Sequence, residues 1–141
     1  MLLARAAGRW FGCPLHDVRE VLPLGALARL PGAPPQVLGL LNVRGRLVTV
    51  LDLGRRLDPG ADGAVSDGYV LIVAAGERQA GCRVDAVARA VPLATPQRPA
   101  ALGNAAAGGI VMGIGEVDGE PVAVLDLPAF VRETLVDPGE R

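Results

Sequence analysis

Lysine is absent from this sequence. All 14 basic residues are arginine, set against 15 acidic ones, and the net charge is −1. No global basic field exists to draw in nucleic acid or an anionic membrane. Aromatics make up only 3% of the chain, which leaves few rings for stacking on bases or sugars. Two cysteines (Cys13, Cys82) and one histidine (His16) are too few for a structural zinc site. No stretch approaches the ~20 apolar residues of a membrane span. Arg5 and Arg9 fall where a signal peptide would need its apolar region, and Cys13 lacks the preceding hydrophobic run of a lipoprotein signal. The expectation is a soluble, cytoplasmic protein.

Apolar residues, in contrast, are plentiful. Half of the 141 residues are hydrophobic, and the mean hydropathy is +0.36. A domain of this length buries roughly 68–70% of its unfolded surface, which excludes a disordered tail. Gly (19) and Pro (12) are abundant and point to many turns and short elements, hence a β-rich fold.

An internal repeat organises the chain. VLGLLNVRGRLVTVLDL (37–53) and VMGIGEVDGEPVAVLDL (111–127) are identical at nine of 17 positions, at an offset of 74. Earlier pieces align at an offset of 69: Gly12-Cys13 with Gly81-Cys82, Val18 with Val87, Pro23-Leu24 with Pro92-Leu93. The offset changes by five, which places an insertion in ALGNAAAGG (101–109). The chain therefore reads as one domain made of two halves, about 1–57 and 69–135, joined by the turn-rich stretch 58–68.

Both halves carry the same local signals. Strands are expected over Leu2–Ala7 and Tyr69–Ala75. A turn at Gly8-Arg9 or Gly76-Glu77-Arg78 leads to second strands over Trp10–Leu15 and Gln79–Val84. Val18, Val21 and Leu22, and likewise Val87 and Val91, are spaced for one face of a short helical turn, which Pro23 and Pro92 stop. A third strand then enters a tight turn, and a β-branched strand leads into Leu-Asp-Leu. Asp52 and Asp126 are candidate caps, for a short helix over Gly54–Leu57 and a longer one starting near Pro128. Short strands with frequent turns fit small barrels. A lobe of about 60 residues is marginal alone, so two lobes must share apolar packing. The repeat leaves open whether each barrel is contiguous in sequence or exchanges strands with the other.

One residue does not suit its turn. Asp118-Gly119 is a strong two-residue hairpin signal, because both positions need positive φ. The repeat places Arg44-Gly45 at the same point. A non-Gly residue in the left-handed region costs roughly 1–2 kcal/mol, and Asp or Asn is the usual relief. A hairpin tip also points into solvent, so the guanidinium has no burial to gain. Arg44 breaks a local rule without visible compensation, as functional residues do. An ordinary solvated arginine, or a turn register one residue off, are the alternatives.

Other candidates read as structural. Cys13 and Cys82 occupy equivalent positions, as shared core residues would. His16 has no triad partner and no counterpart in the second half. Asp52 and Asp126 read as caps before they read as an acid–base pair. The glycines of GIGEVDG lack dinucleotide spacing, and Arg55-Arg56 reads as a solvated pair on a short helix.

PGAPPQVLGLLNVRGRLVTVLDLGRRL (31–57), preceded by HDVREVL (16–22), resembles the CheW-like domain of bacterial chemotaxis. That family's pattern is a proline-rich loop, an apolar-Gly-apolar-apolar-Asn-x-Arg-Gly run, a strand, then Asp-Leu. Here these are Pro34-Pro35, Val37–Leu41, Asn42, Arg44-Gly45, Leu47–Leu51 and Asp52-Leu53. GCRVDAVARAVPL (81–93) and the second VLDL segment match as well. The resemblance implies a mainly β fold of two SH3-like five-stranded barrel lobes packed around a third core, with short helical turns and a C-terminal helix. It implies a non-enzymatic adaptor without cofactor or metal. Such adaptors couple the cytoplasmic helices of a methyl-accepting chemoreceptor to the regulatory domain of a CheA-type histidine kinase. Arg44, Gly39 and Asn42 fall on the receptor-contact motif. Val18, Glu20, Val70 and Val87 fall on or near a coupling surface between lobes, where Ala90 replaces a larger apolar residue. A related pathway, driving pilus motility or development, is the alternative reading.

Overall fold

The computed structural model describes residues 1–60, 67–92 and 109–135. Within them the strands are β1 (Leu2–Ala6), β2 (Arg9–Cys13), β3 (Val18–Pro23), β4 (Val37–Val43), β5 (Arg46–Asp52), β6 (Tyr69–Ala75), β7 (Arg78–Val84), β8 (Ala86–Ala90), β9 (Val111–Val117) and β10 (Glu120–Leu125). Helix α1 spans Leu53–Leu57 and α2 spans Leu127–Thr134. The inferred insertion at 101–109 falls outside the described residues apart from Gly109, and 61–66 of the joining stretch do too.

The strands form two five-stranded sheets, β8-β1-β2-β10-β9 and β3-β6-β7-β5-β4. Replacing each strand by its repeat counterpart converts one order into the other. Neither sheet is contiguous in sequence. The β1–β2 hairpin of the first half sits among β8, β9 and β10, and the β6–β7 hairpin of the second half sits among β3, β4 and β5. Parallel pairings stitch the halves together: Phe11↔Ala123 and Gly12↔Val124 in one sheet, Val50↔Gly81 and Leu51↔Cys82 in the other. The two halves thus exchange hairpins. The sheets are named here the Asp118 lobe and the Arg44 lobe, after the tips of their β9–β10 and β4–β5 hairpins.

The largest core lies between the lobes. It takes Leu2, Phe11 and Cys13 from one sheet, Leu51, Leu71 and Cys82 from the other, and Leu127 and Phe130 from α2. The Arg44 lobe adds a core of Leu41, Val48, Val50, Val70 and Ile72, whereas among the described residues the Asp118 lobe adds the buried Met1, Val91 and Val124. Both cysteines are in the shared core, as the repeat implied. Burial pushes the Cys13 thiol up to about 12 and raises that of Cys82 further.

Both caps form. The Asp52 carboxylate accepts the Arg55 N–H at 3.2 Å, and that of Asp126 accepts the Ala129 N–H at 3.1 Å. Pro128 occupies the first turn of α2, where its missing N–H leaves no bond unmade.

Three local expectations are corrected. Residues 18–22 and 86–90 are strands rather than helical turns. Val18, Val21 and Leu22 fit helical spacing, but Val18, Glu20 and Leu22 turn inward while Arg19, Val21 and Pro23 stay exposed, a period of two. Pro23 ends an edge strand, where it removes no ladder bond, and the helical turn is displaced to Leu15–Asp17. The first hairpin turns at Ala7-Gly8 (φ 53° and 73°), one residue earlier than expected. Arg56 is not merely solvated: its Nε donates to Glu133 at 2.5 Å and ties α1 to α2.

Candidate functional site

The β4–β5 hairpin turns at Arg44 (φ 51°) and Gly45 (φ 84°), so the strained register is the real one. The compensation that the sequence hid comes from two directions. The Asn42 side-chain oxygen accepts the Gly45 N–H at 2.8 Å and closes the turn locally. Both terminal nitrogens of Arg44 donate to the Glu20 carboxylate, each at 2.7 Å, in a bidentate pair. Glu20 lies on β3 and Arg44 follows β4, and these two strands are the opposite edges of one sheet. The ion pair therefore closes the curled sheet at its rim. The Arg44 side chain remains 72% exposed. Hydrogen bonding to Arg44 holds the Glu20 carboxyl below the usual carboxylate range.

Beside this pair lies a groove of about 210 Å³. Val43, Val48 and Ile72 line its apolar part; Arg19, Arg44, Arg46, Glu20 and Gln79 line its polar part. An apolar floor with an arginine-rich rim suits docking of a protein segment that carries an acidic group.

The structure gathers Glu20, Asn42 and Arg44 at one rim. Val18 and Val87 sit elsewhere, half-buried against the shared core, on β3 opposite Val73 and on β8 opposite Ala4. Val70 is fully buried in the Arg44 lobe and offers no surface to a partner. Gly39 is buried too. Its φ is 153°, and a Cβ there would stand 2.6 Å from the Ala28 carbonyl oxygen. Ala28 bridges to Leu40 through two backbone bonds of 2.8 and 2.9 Å, so Gly39 lets the 24–35 loop cover the edge of β4.

A second ion pair escaped the sequence reading. Arg89 on β8 donates to Asp118, at the tip of the β9–β10 hairpin, at 3.1 Å. The signal was present in the repeat, where Arg89 aligns with Glu20 and Asp118 with Arg44, both with reversed sign.

The model of the CheW-like domain family matches residues 1–135. The chain belongs to that family. It is a CheW-like adaptor, mainly β, with SH3-like lobes. The CheW-like chain is 32% identical to Protein FrzA of Myxococcus xanthus over 115 residues, which cover 80% of this chain and 71% of FrzA. It is 42% identical to Protein PilI of Pseudomonas aeruginosa over 59 residues, 39% of this chain; that stretch spans only 33% of PilI. Among solved structures it is similar to the scaffolding protein TtCheW from Thermoanaerobacter tengcongensis. The TM-score there is 0.77 and the identity 27%, covering 89% of this chain and 82% of that one. Among the described residues no helix is long and apolar enough to cross a membrane.

Proposed function

We propose that this CheW-like chain is a non-enzymatic cytoplasmic adaptor that couples the cytoplasmic helices of a methyl-accepting chemoreceptor to the regulatory domain of a CheA-type histidine kinase. It acts as one unit of two halves, about 1–57 and 69–135. The observation that carries the reading is the exposed Arg44 guanidinium, held on a strained hairpin tip by Glu20 beside an apolar groove. Arg44, Glu20 and Asn42 form the contact rim. Val18 and Val87 contribute from the shared core. Gly39 and Val70 act from within, one admitting the covering loop and the other filling the lobe. The adaptor needs no chemistry of its own; it favours one assembly geometry over another. Non-enzymatic action is supported by the groups that chemistry would recruit: both thiols are buried with raised pKa, and Asp52 and Asp126 are spent on capping.

A second reading places the same adaptor in a chemosensory pathway serving pilus motility or development. Similarity to Protein PilI and Protein FrzA supports it.

The test is binding of a purified soluble fragment of the chemoreceptor tip and of the kinase regulatory domain. Wild type is expected to bind both. Arg44→Asp is expected to keep its fold and its kinase binding and to lose the receptor fragment. Failure of wild type to bind either partner, or unchanged receptor affinity in the variant, overturns the assignment.

A further inference from the structure

The two hairpin tips match in backbone and oppose each other in charge. Arg44-Gly45 and Asp118-Gly119 share φ values of 51° at the first residue and 84° and 82° at the second. Each tip residue pairs with the edge strand across its own sheet, Arg44 with Glu20 and Asp118 with Arg89. The reversal extends past the pairs. In the Arg44 lobe, positions 19, 20, 42, 44 and 46 read Arg, Glu, Asn, Arg, Arg. Their repeat counterparts 88, 89, 116, 118 and 120 read Ala, Arg, Glu, Asp, Glu. Three arginines and one glutamate give a net +2 on one rim; one arginine and three carboxylates give a net −2 on the other. All ten are exposed except Glu20, which is half-buried.

An ion pair across the sheet can close it with either sign, and turn chemistry prefers Asp to Arg at a tip of positive φ. Fold stability therefore does not call for the arginine at the Arg44 tip. Recognition does depend on it. The two lobes share one strand order and one tip backbone, so backbone geometry at the tips discriminates poorly between them. Like charges brought together across an interface suppress a wrong partner.

We propose that the reversed sign of the two rims is the specificity determinant between the lobes: an acidic partner segment seats on the Arg44 rim and is repelled from the Asp118 rim. This rests on the adaptor reading of the Arg44 rim above. The probe is a purified soluble fragment of a chemoreceptor cytoplasmic tip, titrated calorimetrically at low ionic strength, where screening is weak. The decisive variant is Arg89→Glu/Glu116→Asn/Asp118→Arg/Glu120→Arg, which copies the first rim's charges onto the second apart from that of Arg19. Its Asp118→Arg change asks of the new side chain a φ that Arg44 already holds. Wild type is expected to bind one fragment. The graft is expected to bind two, the second within roughly tenfold of the first, and adding Arg44→Asp returns it to one. A graft that still binds one fragment, while Arg44→Asp alone abolishes binding, overturns the inference and leaves the adaptor reading standing. No binding by wild type overturns both. If the fourfold graft does not fold, Arg89→Glu/Asp118→Arg carries the same test with the latch alone reversed.

Discussion

The Arg44 and Asp118 lobes share one strand order and fill their interiors differently. Val70 of the first corresponds to Met1 of the second, and Leu41 to Gly115. Where the Arg44 lobe packs a leucine, the Asp118 lobe leaves space into which the Met1 side chain extends, with its Cε 3.4 Å from the position a Gly115 Cβ would take. Branched side chains thus build one core, and two flexible thioethers, Met1 and the half-buried Met112, enter the other beside Val91 and Val124. Each lobe needs a glycine beneath its filler: a Cβ at Gly81 would overlap Val70, and one at Gly12 would overlap the Met1 sulfur. The difference teaches that the fold asks for volume at these positions, while the rigidity of that volume is free to vary. The lobe with the stiffer interior carries the strained arginine tip.

The largest expected effect tests what the lobes have in common. Phe130→Ala empties the core beneath both sheets and should cost about 3–5 kcal/mol. Because that core is shared, chemical denaturation should show one transition at a lower midpoint. Two separated transitions would mean that the lobes are independent. Next comes the contrast in stiffness. Gly81→Ala drives a methyl into β-branched Val70 and should cost about 1–3 kcal/mol in urea unfolding. Gly12→Ala meets unbranched Met1, which can move aside, and Ala recovers roughly 0.5–1 kcal/mol of backbone entropy over Gly. Its net cost should be the smaller, and equal costs would break the comparison. Asp52→Ala and Asp126→Ala each remove a cap and should cost about 1 kcal/mol, in matching amounts for α1 and α2.

The smallest effect is electrostatic. Glu20 titrates below its ordinary value in the folded chain because Arg44 hydrogen-bonds its charged form. Its contribution is present above the ordinary glutamate range and is lost as pH falls through the lowered folded value. Glu20→Gln should flatten stability against pH in that acidic window and nowhere else, as read by urea midpoints at successive pH values. An unchanged profile would show that the pair contributes nothing to the closed rim.

What the sequence makes legible rests on local rules. Asp-Gly and Arg-Gly at equivalent points mark both hairpins, and Asp52 and Asp126 mark both helix starts. Cys13 and Cys82 mark the shared core by falling at one repeat position. The exchange of hairpins is not legible, because a tandem repeat has the same pattern whether its hairpins stay or cross. The Glu20–Arg44 pair joins residues 24 apart on opposite sheet edges, so no window of local pattern contains it. Val18–Leu22 misleads because three apolar residues at helical spacing also lie on a strand, and pairing with β6 decides between the two. Charge is the neglected signal. The repeat reverses the sign at both Glu20/Arg89 and Arg44/Asp118, a covariation that becomes readable as two latches once the strand order is known.

The most direct test reconstitutes a CheA-type kinase with chemoreceptor-bearing membranes and compares phosphorylation with and without attractant. Adding the wild-type chain should bring kinase output under receptor control, and the Arg44→Asp variant should leave the kinase unresponsive. Equal control by the variant, or attractant response with no chain added, would contradict the account.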